Sequence, residues 1–231
     1  NGSGAEGISV RYADDVQVNG NTLTGSATDA IYEAGITLAS VISTNGSAVN
    51  NNIVSGFSQN IRILRWSVGQ GFTNGVNITG NTLTNGVLTG GVSRGTGLYL
   101  AGTNLLIQNI EFSGNANQGI FIPLADPAGA NDITGTLVSN NKIFSNSSFG
   151  VRNLLPSVLN ASPNWWGNVT GPLHSPENTL GLGNAVSDNV DYSPWCTNIG
   201  CSAFGSSDPI HHFNIVPSAV SAVVNIPITL T

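Results

Sequence analysis

Charged residues are scarce in this chain. Only 8% of its 231 residues are charged, with 6 Lys plus Arg against 12 Asp plus Glu, so the formal net charge is −6. Binding to nucleic acid requires clustered basic side chains that neutralise phosphates, and we therefore expect no nucleic-acid partner. No apolar run reaches the roughly 18 residues of a membrane-spanning helix, so we also expect no membrane insertion.

Cysteine is nearly missing, with two residues in the whole chain. Cys196 and Cys201 lie five positions apart in Cys-Thr-Asn-Ile-Gly-Cys, a spacing that a small loop can close. We predict a Cys196–Cys201 disulfide and an extracellular location, because disulfides persist in oxidising compartments. Two free buried thiols are the alternative.

Short apolar runs and small polar residues make up most of the sequence. Hydrophobic residues account for 40% of the chain, and there are 29 glycines. A polar chain with so little charge is often disordered, but here the Val, Ile and Leu residues are spread as short runs that strands can bury. The composition therefore predicts folded β-structure.

Internal repetition is the strongest signal. An apolar pair followed by Asn-x-Ile/Leu recurs five times, and the marked asparagines are Asn21, Asn52, Asn81, Asn109 and Asn141. They are 28 to 32 residues apart, which is the spacing of solenoid coils with loops of varying length. Asparagine tolerates left-handed backbone angles, and its amide can bond to the asparagine of the next coil. We therefore predict an asparagine ladder.

A second pattern, of the form Gly-Ile-x-Val, interleaves with the first. Its copies begin at Gly7, Gly35, Gly97 and Gly119, with a weaker copy at Gly150. Each copy alternates with period two and predicts a strand with one apolar row pointing inward. Glycine before each strand permits the backbone bend that starts a new face.

The two interleaved patterns resemble the bacterial right-handed parallel β-helix repeat family over about residues 7–155. A second segment, which includes Asn164-Trp165-Trp166-Gly167 and Val190-Asp-Tyr192-Ser-Pro194-Trp195, resembles the segment that commonly ends such helices in secreted bacterial proteins. The resemblance implies an all-β, right-handed parallel β-helix of about five to six coils. Such proteins include surface scaffolds as well as polysaccharide lyases and hydrolases, so the fold alone does not determine the function.

Three regions are expected along the chain: β-helix coils over 1–160, a terminal cap with the disulfide over 161–205, and a C-terminal strand extension over 206–231. We expect Trp165, Trp166 and Trp195 to plug the last coil, because an open end presents unpaired backbone groups. Stacking of Trp165 and Trp166 on sugars is the alternative.

The two ends of the chain suggest self-association. The first coil begins at Gly7, which leaves no room for an amphipathic cap. Val224 to Thr231 alternates like a strand, and Pro227 marks it as an edge strand; the stretch from Phe213 onward also resembles the opening strands of bacterial immunoglobulin-like modules. We expect stacking through the β-helix ends or donation of this strand to a neighbouring subunit, which would produce a filament.

Few groups are candidates for catalysis. Asp14-Asp15 is the only adjacent acidic pair, and we favour turn residues over a catalytic pair because Asp is common in turns. The arginines of the coils fall at unrelated positions, and we expect them to be solvated surface residues. They are Arg62, Arg65, Arg94 and Arg152.

Metal ligands are equally few. Asp126, Asn131 and Asp132 lie in one loop and carry oxygen ligands for calcium, but their spacing matches no defined calcium loop. Asp188 and Asp191 flank a strand in the cap, and for both loops the alternative to calcium binding is an ordinary loop. A metal shared by His211-His212 is not expected, because adjacent residues on a strand point to opposite faces. We predict no catalytic, metal or cofactor-binding residues, with Ca²⁺ as the one ion left open.

These observations predict a non-enzymatic extracellular structural or adhesive protein, either a self-assembling filament subunit or a segment of a large surface protein. The alternatives are a polysaccharide lyase or glycoside hydrolase of the same fold, and a carbohydrate-binding module. Thr22-Leu-Thr24 and Thr82-Leu-Thr84 also suggest a flat Thr-x-Thr array of the kind an ice-binding face needs, although β-branched residues on the outside of a strand explain them as well. Charged groups that converge in a groove along one sheet would favour the enzyme, and an amide-covered face would favour the scaffold.

Overall fold

Three parallel sheets dominate the computed structural model, which describes residues 6–25, 34–44, 46–88, 91 and 93–206. Sheet 1 contains the longest strands: β1 (Glu6–Arg11), β4 (Ala34–Ala39), β7 (Gln59–Leu64), β11 (Thr96–Leu100), β15 (Gln118–Ile122) and β20 (Phe149–Asn153). Sheet 2 contains β3 (Thr22–Thr24), β6 (Ile53–Ser55), β10 (Thr82–Thr84), β14 (Glu111–Ser113) and β19 (Lys142–Phe144). Sheet 3 contains β2 (Gln17–Asn19), β5 (Ala48–Asn50), β9 (Asn77–Thr79), β13 (Leu106–Gln108), β18 (Leu137–Ser139), β21 (Leu159–Asn160) and β22 (Val190–Asp191).

The remaining strands are two-residue pairs in the loops. They are β8 (Thr73–Asn74) with β12 (Gly102–Thr103), β16 (Ala125–Asp126) with β17 (Gly129–Ala130), and β23 (Trp195–Cys196) with β24 (Phe204–Gly205). Each coil passes through sheet 1, then sheet 3, then sheet 2, and the next coil stacks on it in parallel register. The described residues thus form an all-β solenoid of about six turns without a helix, which confirms the predicted fold class, and no helix in them could cross a membrane.

Period-two alternation in sheet 1 builds one wall of the core. The inward row runs through five stacked coils in direct register, and its members are almost completely buried. They are Ile36, Ile61, Leu98, Ile120 and Val151. This row packs against the inward side chains of sheets 2 and 3 in a single hydrophobic cluster, and burial of such side chains stabilises the fold by about 1.5–3 kcal/mol each.

Glycine at the start of the sheet 1 strands is required for space. A Cβ atom on Gly97 would lie 2.7 Å from the carbonyl oxygen of Gly119, and one on Gly119 would lie 2.7 Å from that of Gly150. At Gly97 and Gly119 the coil therefore approaches the next one through a glycine, and a side chain there would push the two backbones apart. The register places Asn60, not glycine, at the equivalent position of the β7 coil. Gly97 and Gly119 lie within their strands, and crowding between coils rather than a bend is the reason for them.

Candidate functional site

Stacked asparagines lie at the corner between sheets 3 and 2. Asn52 Oδ1 accepts hydrogen bonds from the backbone N and the Nδ2 of Asn21, both at 2.9 Å, and Asn52 Nδ2 donates to Asn81 Oδ1 at 2.9 Å. Farther along, Asn141 Nδ2 donates to Asn164 Oδ1 at 3.0 Å. Apart from the half-buried Asn21, these amides are almost fully buried, so side-chain and backbone partners take the place of water.

Asn109 differs from the expectation, because it lies outside this ladder. The strand register aligns Ile110 with Asn81, and the backbone N of Ile110 donates to Asn141 Oδ1 at 3.0 Å. Asn109 is exposed and has a φ of 55°, the left-handed conformation that Gly80 adopts in the preceding coil. The ladder position in this coil is therefore residue 110, one residue after Asn109, and the apolar side chain of Ile110 interrupts the ladder there.

A second asparagine ladder, which the sequence patterns above do not include, lies at the corner between sheets 2 and 1. Asn60 Nδ2 donates to Asn115 Oδ1 at 3.2 Å, and Asn115 Nδ2 donates to Asn146 Oδ1 at 2.8 Å. Asn146 Nδ2 donates in turn to Asn184 Oδ1 at 3.0 Å. The sequence signal for this ladder is an asparagine at a fixed distance after a sheet 2 strand, since Asn115 and Asn146 each lie two residues after one.

The outer face of sheet 2 carries rows of short polar side chains. One row has a hydroxyl group in four successive coils: Thr24, Ser55, Thr84 and Ser113. The neighbouring row is mixed: Thr22, Ile53, Thr82, Glu111 and Lys142. The Thr-x-Thr pattern is thus limited to the first and third coils, because the second coil supplies Ile and Ser at the same positions.

The outer face of sheet 3 has a neutral row of amides and hydroxyls: Asn19, Asn50, Thr79, Gln108 and Ser139. Neighbours in this row bond to each other, since Thr79 Oγ1 donates to Asn50 Oδ1 and Gln108 Nε2 donates to Ser139 Oγ, both at 2.7 Å. Strand spacing of about 4.8 Å repeats these groups regularly along the solenoid. The hydroxyl row of sheet 2 and this row of sheet 3 together present a long array of uncharged hydrogen-bonding groups.

The outer face of sheet 1 is different, because charged side chains meet on it. Glu6 Oε1 bonds to Arg62 Nη2 and accepts a hydrogen bond from Thr37 Oγ1 at 3.1 Å, while Glu6 Oε2 lies 2.8 Å from Arg11 Nη2. Arg62 is only 8% exposed, so it is not the solvated residue that the sequence suggested. Burial tends to raise the pKa of Glu6, but the hydrogen bond with Ser9 and the charge of Arg62 outweigh it and lower that pKa.

The other arginines of the coils also have partners. Arg65 Nη2 lies 3.2 Å from Asp126 Oδ1, whose carboxylate also accepts hydrogen bonds from two backbone N–H groups. Arg152 lies over the ring of Phe149, with 5.6 Å between the guanidinium carbon and the ring centroid. Arg94 lines a cavity on the outer face of sheet 1.

The candidate calcium ligands take part in the internal bonding of their own loop. Asp126 belongs to the β16–β17 hairpin and is bound to Arg65, while Asn131 Nδ2 donates to the Leu100 and Pro123 carbonyls at 3.1 and 3.0 Å. Asp132 accepts from the backbone N of Thr134 at 2.8 Å, as in an ordinary turn. Within the described residues no group of three His, Cys, Asp or Glu is placed to hold a metal ion.

The acidic pair Asp14-Asp15 lies at a turn. Asp15 has a φ of 53°, and its Oδ1 accepts a hydrogen bond from the backbone N of Thr44 at 3.0 Å. Asp14 forms a backbone bridge with Ile42 of the next coil. This geometry agrees with the turn interpretation. His211-His212 and the stretch 207–231 lie outside the described residues.

The cap separates the two adjacent tryptophans. Trp166 is completely buried in the core, whereas Trp165 pairs with Lys142 through the backbone and continues the outer row of sheet 2, half-buried. Trp195 is 5% exposed, and its Nε1 donates to the Val169 carbonyl at 3.0 Å. Trp166 and Trp195 therefore belong to the packed end of the solenoid, and of these three tryptophans Trp165 is the one that lies where a sugar could stack.

A disulfide joins Cys196 to Cys201 just beyond these tryptophans, with Cα atoms 4.7 Å apart. It closes the loop beside β23, the strand that pairs antiparallel with β24. The loop also forms one wall of a cleft in which Ile199 faces the turn residues Asn109 and Asn140.

Sequence patterns did not single out His174, a buried imidazole in the cap. Its Nε2 lies 3.3 Å from Asp188 Oδ1, its Nδ1 lies 3.4 Å from Glu177 Oε2, and its ring packs edge-on against Tyr192 at 5.5 Å between centroids. Asp188 and Glu177 are well exposed on the rim of a surface cavity that Asp191 also lines. The cluster joins three loops of the cap, which is a sufficient explanation for its geometry.

No family model matches the chain, and comparisons with curated proteins and with solved structures found no significant match.

Proposed function

We propose that this protein is a non-enzymatic extracellular β-helix with a structural or adhesive role, and that the outer faces of sheets 2 and 3 form its contact surface. The observation that carries the proposal is the series of aligned hydroxyl and amide rows, exemplified by Thr24, Ser55, Thr84 and Ser113. Neutral hydrogen-bonding groups at a fixed spacing suit a repetitive, uncharged partner such as a polysaccharide surface. Each hydroxyl or amide group contributes little binding free energy, and repetition of these groups along the solenoid raises the overall affinity for the polysaccharide.

The Cys196–Cys201 disulfide supports an extracellular location, because such bonds persist where the environment is oxidising. The resemblance of the repeats to bacterial β-helix proteins, many of which are surface scaffolds, points the same way. Paired asparagines at two corners stiffen the coils, and a rigid body is what a scaffold requires.

Binding to insoluble polysaccharides tests the adhesive role. The protein is mixed with microcrystalline cellulose, chitin or starch granules and sedimented, and the bound fraction is measured. The Thr84→Lys variant places a charge at the centre of the hydroxyl row, where the wild-type side chain is half-buried. We expect it to reduce binding about tenfold, which corresponds to about 1.4 kcal/mol.

The matched control is Val68→Lys, which adds the same charge at a position 83% exposed in the loop after β7. It should bind as the wild type does. Equal binding by both variants, or no binding to any polysaccharide, contradicts adhesion through sheet 2.

Self-association is the second part of this proposal. In the described part of the chain β1, β2 and β3 are edge strands, and an edge presents unpaired backbone groups to which another strand can add. Electron microscopy of the purified protein at near-physiological salt tests it. Filaments with an axial repeat equal to the solenoid length support the proposal, and dispersed monomers contradict it.

One observation favours a second candidate, a polysaccharide-active enzyme. Charged groups converge on the outer face of sheet 1, where Glu6 contacts both Arg62 and Arg11 beside a cavity. Incubation with a panel of soluble polysaccharides, followed by a reducing-end assay, tests this candidate. Product formation that is lost in Glu6→Gln would support the enzyme over the scaffold.

A further inference from the structure

A small cavity lies on the outer face of sheet 1. Its volume is about 110 Å³, and it is lined by side chains from β7, β11 and two loops. The polar residues among them are Gln59, Arg62, Ser93, Arg94 and Tyr99. Pro127, at the tip of the β16–β17 hairpin, forms part of the wall. Positive and hydrogen-bond-donating groups thus line one concave space.

Arg62 lines this cavity. The residue is 8% exposed, and its Nη2 is held by Glu6. Its Nε atom is buried and has no hydrogen-bond acceptor among the residues that the structure describes. Buried donors almost always have a partner, so an unpaired guanidinium N–H beside a cavity favours a ligand that supplies the acceptor.

The charge balance also favours an anion. Glu6 is shared between Arg62 and Arg11, so this group of three has one negative charge against two positive charges. Asp126 is the other carboxylate near Tyr99, and it is already paired with Arg65. A guanidinium group in a partly buried site is the preferred partner of carboxylate, sulfate and phosphate oxygens.

Tyr99 adds a neutral donor to the lining. Burial, reinforced by the charge of Asp126, raises the pKa of the Tyr99 phenol to about 12, so the hydroxyl keeps its proton throughout the neutral range. A protonated phenol can donate to an oxyanion, and it does not repel one.

The size of the cavity limits the ligand. An engineered cavity of about 150 Å³ just accommodates benzene, so a space of about 110 Å³ is too small for a sugar ring. It is large enough for one carboxylate, sulfate or phosphate group that projects from a longer molecule or is free in solution.

We propose that the cavity between Arg62 and Tyr99 binds a single small oxyanion. The site lies on sheet 1, away from the rows of sheets 2 and 3, so the proposal is independent of adhesion through those rows. Its ligand is either a free inorganic anion or an acidic group carried by a polysaccharide.

Calorimetric titration of the full chain at constant ionic strength tests this site. The probes are sodium sulfate, sodium phosphate, sodium acetate and a trimer of galacturonic acid. Tyr99→Phe removes one donor while it keeps the ring, and we expect about tenfold weaker binding, equivalent to about 1.4 kcal/mol. Arg62→Gln should abolish binding, and circular dichroism checks that this variant folds.

Arg152→Gln is the matched control, because Arg152 lies on the same sheet face but does not line the cavity. It should bind like the wild type. Tighter binding of the trimer than of acetate identifies a polysaccharide-borne carboxylate, and preference for sulfate or phosphate identifies an inorganic anion. Failure of all four probes to bind, or unchanged binding in Tyr99→Phe, overturns the proposal.

Discussion

The same coils build the outer face of sheet 1 and the outer faces of sheets 2 and 3. The two regions differ in charge and in solvent exposure. On sheet 1, Arg62 and Phe121 are at most 8% exposed beneath loops, and the charged groups are paired. On sheet 2, Thr22 and Thr24 are open to solvent, and the row from Thr24 to Ser113 is neutral. A buried, charged face is sensitive to substitution and selective for ligands, whereas an open, neutral face tolerates substitution and binds through repetition.

Removal of a carboxylate from each face tests this contrast most strongly. Glu6→Gln should lower the free energy of unfolding by about 2–4 kcal/mol, because it leaves the buried Arg62 guanidinium without its counter-charge. Glu111→Gln on sheet 2 is the control and should change it by less than about 0.5 kcal/mol. Urea unfolding followed by circular dichroism measures both, and equal losses would remove the distinction between the faces.

The corner that both faces share should be more sensitive than the open face. Asn146→Ala removes a 5% exposed amide that donates to Phe112 O and accepts from Asn115 Nδ2, so buried polar groups lose their partners. We expect a loss of about 2 kcal/mol in urea unfolding. Asn77→Ala, at an exposed position on sheet 3, should have little effect; a comparable loss there would show that the ladder contributes nothing special.

Alkaline unfolding sharpens the comparison through Tyr99. Because the pKa of this phenol is raised from 10.0 to about 12, the unfolded chain releases the proton first as pH rises. The contribution of the protonated Tyr99 phenol to the free energy of unfolding is therefore fully present below pH 10. It is lost as the pH rises towards 12, which lowers the free energy of unfolding by about 1–2 kcal/mol. Melting temperatures between pH 9 and about 11.5 should fall less steeply in Tyr99→Phe than in the wild type. Parallel curves would show that Tyr99 is not the group responsible.

The smallest effect is expected on the open face. Thr84→Ala removes one half-buried hydroxyl from the sheet 2 row and should change the free energy of unfolding by less than about 0.5 kcal/mol. Thermal melts of this variant should overlay those of the wild type. A loss above about 1 kcal/mol would mean that the hydroxyl row is a structural element rather than a surface.

The sequence was sufficient to predict the solenoid, because period-two strands and a coil repeat of 28 to 32 residues depend on local patterns. It could not place Arg62 beside Glu6, because these residues are 56 positions apart and meet only when β1, β4 and β7 stack in register. The error at Asn109 has a related cause. Asparagine occurs in these coils both at the left-handed turn position and at the ladder position one residue later. The sequence pattern does not separate the two positions, and only the strand register distinguishes them.

The tryptophans, which dominate intrinsic fluorescence, are distributed unevenly along the solenoid. Three of the four, Trp165, Trp166 and Trp195, lie in the segment that closes the solenoid, while Trp66 lies 3.5 Å below the Arg11 guanidinium at the far end. Intrinsic fluorescence therefore reports mainly on the closing segment, whereas far-ultraviolet dichroism reports on all the coils. In a stack whose units contact only their neighbours, the two signals need not change together, so their divergence would reveal from which end the solenoid unravels.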